Sequence, residues 1–140
     1  MDKIRISQKS YHGEEHDNQL PHAILNTIQQ LAKENNVTLF MTLLTAIQAF
    51  FYRYTGQEDV VIGTPINNRH YKQVDHLIGF FVNTLALRFI FDDAITFSQA
   101  LVKNKDNIMQ CFDNQDVAFE QIVDELNIAK DWLQHPIYQI

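Results

Sequence analysis

The stretch Phe80–Phe91 limits the fold more than any other part of the chain. Its odd positions are Phe81, Asn83, Leu85, Leu87, Phe89 and Phe91, and its even positions include Thr84 and Arg88. Successive side chains of a strand point to opposite faces, so such a strand has one face that is apolar except at Asn83. Helical spacing also fits, but Val, Thr, Phe and Ile favour the strand. A strand with one apolar face needs a covering layer, and the flanking sequence supplies helices.

Upstream, Ile24, Leu25, Ile28, Leu31 and Ala32 repeat at helical spacing, from a start near Pro21 to a stop at Asn35-Asn36. Thr38 is placed to N-cap a second helix. That helix carries a wide apolar stripe of Phe40, Leu43, Leu44, Ile47, Phe50, Phe51 and Tyr54, with Thr42, Thr45, Gln48 and Tyr52 on the other side. The weakly polar back predicts a helix over Thr38–Tyr54 buried on most of its surface and ended by Gly56. Val60-Val61-Ile62, bounded by Gly63-Thr64-Pro65, reads as an interior strand covered on both faces. Residues 66–78 are polar loop, with a helical turn near Val74–Leu77. Thr96 and Gln99 have capping-box spacing, and Phe97, Ala100, Leu101, Ile108, Cys111 and Phe112 follow on one helical face. Asp116 is expected to cap a last helix carrying Phe119, Ile122, Val123 and Leu126. Ile137–Ile140 reads as the start of a strand. Residues 1–20 form a polar lead-in, and 21–140 hold the structured unit.

Several function classes fall away on charge and composition. A net charge of −6 repels phosphate backbones, so no nucleic-acid partner is expected. No basic patch reads as membrane-binding, and the apolar stretch Leu39–Tyr52 is too short and polar to span a bilayer. The N-terminus lacks the apolar segment of a signal peptide. The single cysteine, Cys111, cannot form an internal disulfide, and a reducing, cytoplasmic setting is expected.

Catalytic signatures are sparse. There is no G-x-S-x-G elbow and no Gly-rich phosphate loop. Cys111 lies on an apolar helical face and reads as a packed thiol. His12 and His16, beside Glu14, Glu15 and Asp17, could chelate a metal on a helix, but nothing apolar anchors that helix, and no metal site is assigned. His70 and His76 share no regular face. The pairs Asp92-Asp93 and Asp124-Glu125 read as turn and surface residues. Asn83 is more informative: a carboxamide on an apolar strand face must find partners, either as a structural amide on neighbouring backbone or as the lining of a cleft. Arg88 offers a parallel choice between an ordinary salt bridge and an anchor between lobes.

Three segments together are similar to a known family. Gly56-Gln57-Glu58-Asp59-Val60-Val61-Ile62-Gly63-Thr64-Pro65-Ile66-Asn67-Asn68-Arg69 resembles the condensation-domain pattern GQ-x-D, three hydrophobic residues, GTP-x-x-x-R. Ile78-Gly79-Phe80-Phe81-Val82-Asn83-Thr84-Leu85-Ala86-Leu87-Arg88 resembles IG-x-FVNT-x-x-x-R. Asn114-Gln115-Asp116-Val117-Ala118-Phe119-Glu120 resembles QD-x-PFE, with Ala118 in place of proline. Val37-Thr38-Leu39-Phe40 matches the start of the preceding family helix. A last motif, RD-x-SR-x-P, survives only as Asp131 and Pro136 with an apolar Ile137. The likeness runs over about residues 25–140.

The resemblance implies an α/β fold: the C-terminal lobe of a condensation domain from a nonribosomal peptide synthetase, one lobe of a chloramphenicol-acetyltransferase-like fold with a mixed sheet flanked by helices. It implies amide formation between acyl and aminoacyl thioesters held on phosphopantetheine arms of carrier proteins, in a tunnel between two lobes. The family's His-His-x-x-x-Asp-Gly motif belongs to the other lobe, and no His-His pair occurs here. No catalytic residue is therefore assigned, no cofactor is expected to bind directly, and the chain alone is expected to be inactive. Asn83 is carried over as tunnel lining. Gly63, Pro65, Arg69, Gly79, Phe80, Thr84, Arg88, Gln115, Asp116, Phe119 and Glu120 are carried over as structural motif residues. The expected partners are an N-terminal lobe, peptidyl or acyl carrier proteins, and a second copy in a homodimer. Two other readings are a non-catalytic module that docks carrier or partner domains, and a lobe of a coenzyme A-dependent acyltransferase.

Overall fold

The computed structural model describes residues 13–69, 71–127 and 137–138. Its elements run α1 (His22–Glu34), α2 (Leu39–Thr55), β1 (Asp59–Ile66), a 3-10 turn (Lys72–Val74), β2 (Asn83–Ile90), α3 (Phe97–Asp113) and α4 (Phe119–Glu125). The chain is α/β, and among the described residues its sheet is an antiparallel pair with helices packed on it. The strand expected over Ile137–Ile140 meets two described residues, Ile137 and Tyr138, which are not in a strand; the rest, like the 130–136 motif, His12 and His70, lies outside the described residues.

The pairing register sets the core. Val60 lies opposite Phe89, and Ile62 opposite Leu87, so the apolar phases of both strands share one face. Leu85, Leu87, Phe89 and Phe91 are buried there with Met41 and Leu44 of α2 and Ala100 and Ile108 of α3. The odd-numbered phase expected of β2 is thus the inward one. The strand itself begins at Asn83; Phe80 and Val82 precede it and are exposed.

β1 departs from the expected short interior strand. It runs on through Gly63-Thr64-Pro65 to Ile66 and, among the described residues, pairs only with β2. Its burial alternates, so only one face is fully covered. Proline is tolerated for a reason of register. Phe91 donates its backbone N–H to the Glu58 carbonyl (2.9 Å). Hydrogen-bonded and non-bonded pairs alternate along an antiparallel ladder, which makes Pro65 opposite Thr84 a non-bonded pair. The N–H that Pro65 lacks would have pointed away from β2.

α2 begins and ends as its sequence predicts. The Thr38 hydroxyl accepts from the Met41 N–H (3.1 Å), and Gly56 closes the helix at φ 73°. The helix is not buried on most of its surface, and its orientation is largely reversed from expectation. Of the apolar stripe only Leu44 is buried, with Phe51 packed partly against the core. Met41, Thr42, Thr45 and Gln48 also face inward, whereas Phe40, Leu43, Ile47, Phe50 and Tyr54 are exposed, the last two at 59% and 65%. The buried polar side has partners. Asn104 of α3 donates to Thr45 Oγ1 (2.9 Å) and Gln48 Oε1 (2.7 Å). Gln48 Nε2 donates to the Leu87 carbonyl of β2 (3.0 Å), and the Thr45 hydroxyl donates to the Met41 carbonyl (2.8 Å). Buried amides joined in this way tie α2, β2 and α3 at fixed positions.

The capping box at α3 forms as the sequence predicts, with Thr96 and Gln99 bonding reciprocally. α4 starts differently. Ala118, in extended conformation, is its N-cap, and Asp116 stands outside the helix. The α4 entry is held by β2 instead, through Asn83. No described helix is long and apolar enough to cross a membrane.

Candidate functional site

Asn83, the first residue of β2, gathers the family-like motifs. Its Nδ2 donates to the carbonyls of Gln115 and Val117, both at 2.8 Å. Its Oδ1 accepts from the N–H groups of Thr84 (2.9 Å) and Phe119 (3.3 Å). The carboxamide therefore fixes the Gln115–Phe119 turn against the strand, using both donor hydrogens and its acceptor on backbone. These bonds to neighbouring backbone are those of a structural amide. The same residue borders a cavity of about 380 Å³, whose walls include Thr84, Phe80, Asp116, Phe119 and Glu120.

Arg69 organises the neighbouring loop. One guanidinium nitrogen donates to the carbonyls of Val74 (2.6 Å) and Leu77 (2.9 Å), and the other to that of Gly79 (3.4 Å). Its Cζ lies 4.2 Å from the Phe81 ring centroid, a cation–π distance. The helical turn expected at Val74–Leu77 lies at Lys72–Val74, inside the loop that Arg69 clasps. A Cβ on Gly79 would press on Phe81 (3.1 Å).

Gly63 has a different constraint. A Cβ there would fall within the Tyr138 ring, so glycine lets that aromatic lie directly on β1. Tyr138 also meets the buried Phe119 ring edge-on at 5.6 Å and forms part of the cavity wall. Arg88 stands apart, at the far end of β2. It forms a two-pronged pair with Asp59 (2.8 and 2.7 Å), and the Arg88 hydrogen bond holds the Asp59 carboxyl below its ordinary range. Cys111 is half-buried, with its thiol pKa raised by burial. Tyr52 donates to the Asp93 carboxylate and stacks on Phe91 at 4.9 Å, which fastens the end of α2 to the turn after β2.

Asn83, Thr84, Phe80, Asp116, Phe119 and Glu120 thus meet at one cavity. Gln115 contributes its backbone, and Arg69 and Gly79 shape the adjacent loop. Four wall residues are not among those carried over from sequence: Asn68, Val82, Ala118 and Tyr138. Asn68 has φ 49° and a buried Oδ1 that meets no hydrogen-bond donor among the described residues. Its signal was the Asn67-Asn68 pair, because asparagine tolerates the left-handed region. Among the described residues, no three His, Cys, Asp or Glu side chains cluster as metal ligands would.

Similarity to known proteins gives the family. The family model "Condensation domain" matches residues 1–140, and the chain belongs to that family. It is 38% identical over 138 residues to bacitracin synthase 1 of Bacillus licheniformis, covering 99% of this chain and 3% of that protein. It is 41% identical over 115 residues to tyrocidine synthase 3 of Brevibacillus parabrevis, covering 82% of this chain and 2% of that one. The chain thus spans only a few hundredths of these relatives. Among solved structures, the condensation domain of the monacolin K polyketide synthase superposes with TM-score 0.79 at 26% identity, over 87% of this chain and 29% of that one. A four-domain nonribosomal peptide synthetase bound to AMP and glycine superposes with TM-score 0.83 at 24% identity, over 85% of this chain and 9% of that one, which is a likeness of fold. The chain is part of a condensation domain.

Proposed function

We propose that residues 21–140 supply the C-terminal wall of the substrate tunnel in an amide-forming condensation domain of a nonribosomal peptide synthetase. The reaction joins two thioesters held on phosphopantetheine arms of carrier proteins. The amine nitrogen of the aminoacyl group attacks the acyl carbonyl carbon, the C–N bond forms, and the C–S bond breaks. The amine loses a proton and the departing thiolate gains one. The histidine that handles the amine proton comes from the other lobe, in the His-His-x-x-x-Asp-Gly motif. This lobe contributes shape. Asn83 acts as tunnel lining by fixing the turn that forms the wall.

The observation that supports this reading is the convergence of all three motifs on one cavity through Asn83 and Arg69. The partners in this reading are the N-terminal lobe and carrier proteins, in the cytoplasm, with a second copy covering exposed apolar surface when the other lobe is missing. The test joins the lobe to an N-terminal lobe bearing the histidine motif and supplies loaded donor and acceptor carrier proteins. Dipeptide is expected from the joined protein and none from the 140-residue chain. Carrier binding without product in the joined protein would favour the docking module instead.

A further inference from the structure

The loop before β2 displays apolar side chains that the described residues do not cover, yet its backbone is firmly held. Phe80 is 89% exposed, and Leu77 and Ile78 beside it are also exposed. Arg69 bonds the carbonyls of Leu77 and Gly79 and stacks on Phe81, so it grips the chain on both sides of Phe80. Five N–H donors in a rigid planar fork can fix several carbonyls at once, which a lysine ammonium on a flexible stem does not reproduce. Phe80 projects from this clasp into the wall of the cavity that Asn83, Thr84 and Phe119 also border. An exposed aromatic on a fixed backbone loses little conformational entropy when a ligand packs on it.

Resting on the tunnel reading above, we propose that Phe80 is a specificity-determining residue that packs against the apolar side chain of a carrier-bound acyl or aminoacyl group. Arg69 is its positioning residue. It touches no substrate and acts by fixing where the Phe80 ring stands.

The test uses the condensation domain containing this lobe, with carrier proteins loaded with a large apolar residue (leucine or phenylalanine) or with alanine. The readout is the ratio of kcat/KM for large over small. Loss of a well-packed apolar contact changes such ratios by about tenfold to a hundredfold. Phe80→Ala is expected to lower the ratio by about tenfold, mainly through KM for the large substrate, with kcat/KM for alanine falling less. Arg69→Lys is expected to lower the ratio in the same direction, and the double variant to add little beyond Phe80→Ala. Hydrogen exchange of the amides in 71–79 should speed up in Arg69→Lys and stay unchanged in Phe80→Ala. An unchanged ratio in Phe80→Ala, with the wild type active on both substrates, overturns this inference and leaves the tunnel reading standing. Equal losses on both substrates in Arg69→Lys overturn the positioning role. A wild type inactive on both substrates overturns the tunnel reading and this inference with it.

Discussion

Replacing Asn104 by leucine tests the buried amide network most directly. Asn and Leu share the same branched four-atom side-chain skeleton, so Asn104→Leu removes two hydrogen bonds without opening a cavity, its methyl groups being the bulkier. The Gln48 Oε1 loses its donor at 2.7 Å, and Thr45 Oγ1 loses one at 2.9 Å. Gln48 and Thr45 are both 0% exposed, so water cannot replace Asn104 without the core opening. Thr45 keeps its bond to the Met41 carbonyl and is partly compensated. An orphaned buried acceptor costs about 1–3 kcal/mol, and the lost bonds add about 1 kcal/mol, so a loss of about 2–4 kcal/mol is expected. Urea unfolding followed by circular dichroism at 222 nm, a helix band, would measure it. The companion is Gln48→Leu/Asn104→Leu, in which no carboxamide is left orphaned and the Leu87 carbonyl retains its place opposite Ile62. Replacing both partners by apolar groups is close to neutral, so the pair should recover about 1–3 kcal/mol relative to the sum of the single changes. The reasoning is refuted by a single variant within about 0.5 kcal/mol of wild type, or by strict additivity.

Further expectations follow from other contacts. Gly63→Ala should cost about 1–3 kcal/mol, because the Tyr138 ring must leave β1, and Tyr138→Ala in the same chain should recover part of the loss in thermal melts. Because the folded-state pKa of Asp59 is lowered by Arg88, the pair stabilises above the unfolded carboxyl value near ~3.9 and its contribution is lost as pH falls through the folded value. Both partners are about half exposed, so the contribution should be under about 1 kcal/mol; carbon-detected NMR titration should show Asp59 returning to an ordinary value in Arg88→Gln. Asn83→Ala should release the turn at Gln115–Phe119, lowering the melting point as well as turnover of the joined domain, whereas a fall in turnover with an unshifted melt would locate its role in the tunnel alone. Light scattering over a concentration series should show self-association of the 140-residue chain, reduced in Ile47→Lys/Phe50→Lys; a strict monomer at high micromolar concentration refutes it.

Local signals were legible and long-range partners were not. Thr38, Gly56 and the Thr96–Gln99 pair act within a few residues of themselves, and each ends its helix as the sequence indicates. The inward phase of β2 was legible because alternation leaves only one apolar face. The motif residues that meet at the cavity were readable by resemblance. Their individual jobs were not, because those depend on atoms far along the chain: Asn83 reaches the carbonyl of Gln115 and Arg69 that of Gly79. The continuation of β1 through Pro65 was hidden because proline usually ends a strand, and its tolerance here depends on a register set by Glu58 and Phe91. Asp116 carries the side chain of a good cap, yet Ala118 holds that place because Asn83 draws the turn onto β2.

The reversal of α2 has a deeper cause. Hydrophobicity alone turns the Phe40–Tyr54 stripe inward and leaves Thr42, Thr45 and Gln48 to water. Thr42, Thr45 and Gln48 share the interior with Met41 and Leu44, and Asn104 and the Leu87 carbonyl complete the hydrogen bonds of Thr45 and Gln48, which removes the penalty that normally keeps amides outside. The cost falls on the stripe, whose large side chains each forgo part of the ~1.5–3 kcal/mol that full burial brings. A chain can carry that cost more easily when a second surface covers the stripe. The superposition on 29% of a solved condensation domain shows that such a domain contains much more protein than this lobe. α2 therefore has one inward face, where buried amides sit beside Met41 and Leu44 and fix the helix by hydrogen bonds, and an opposite apolar face that is exposed.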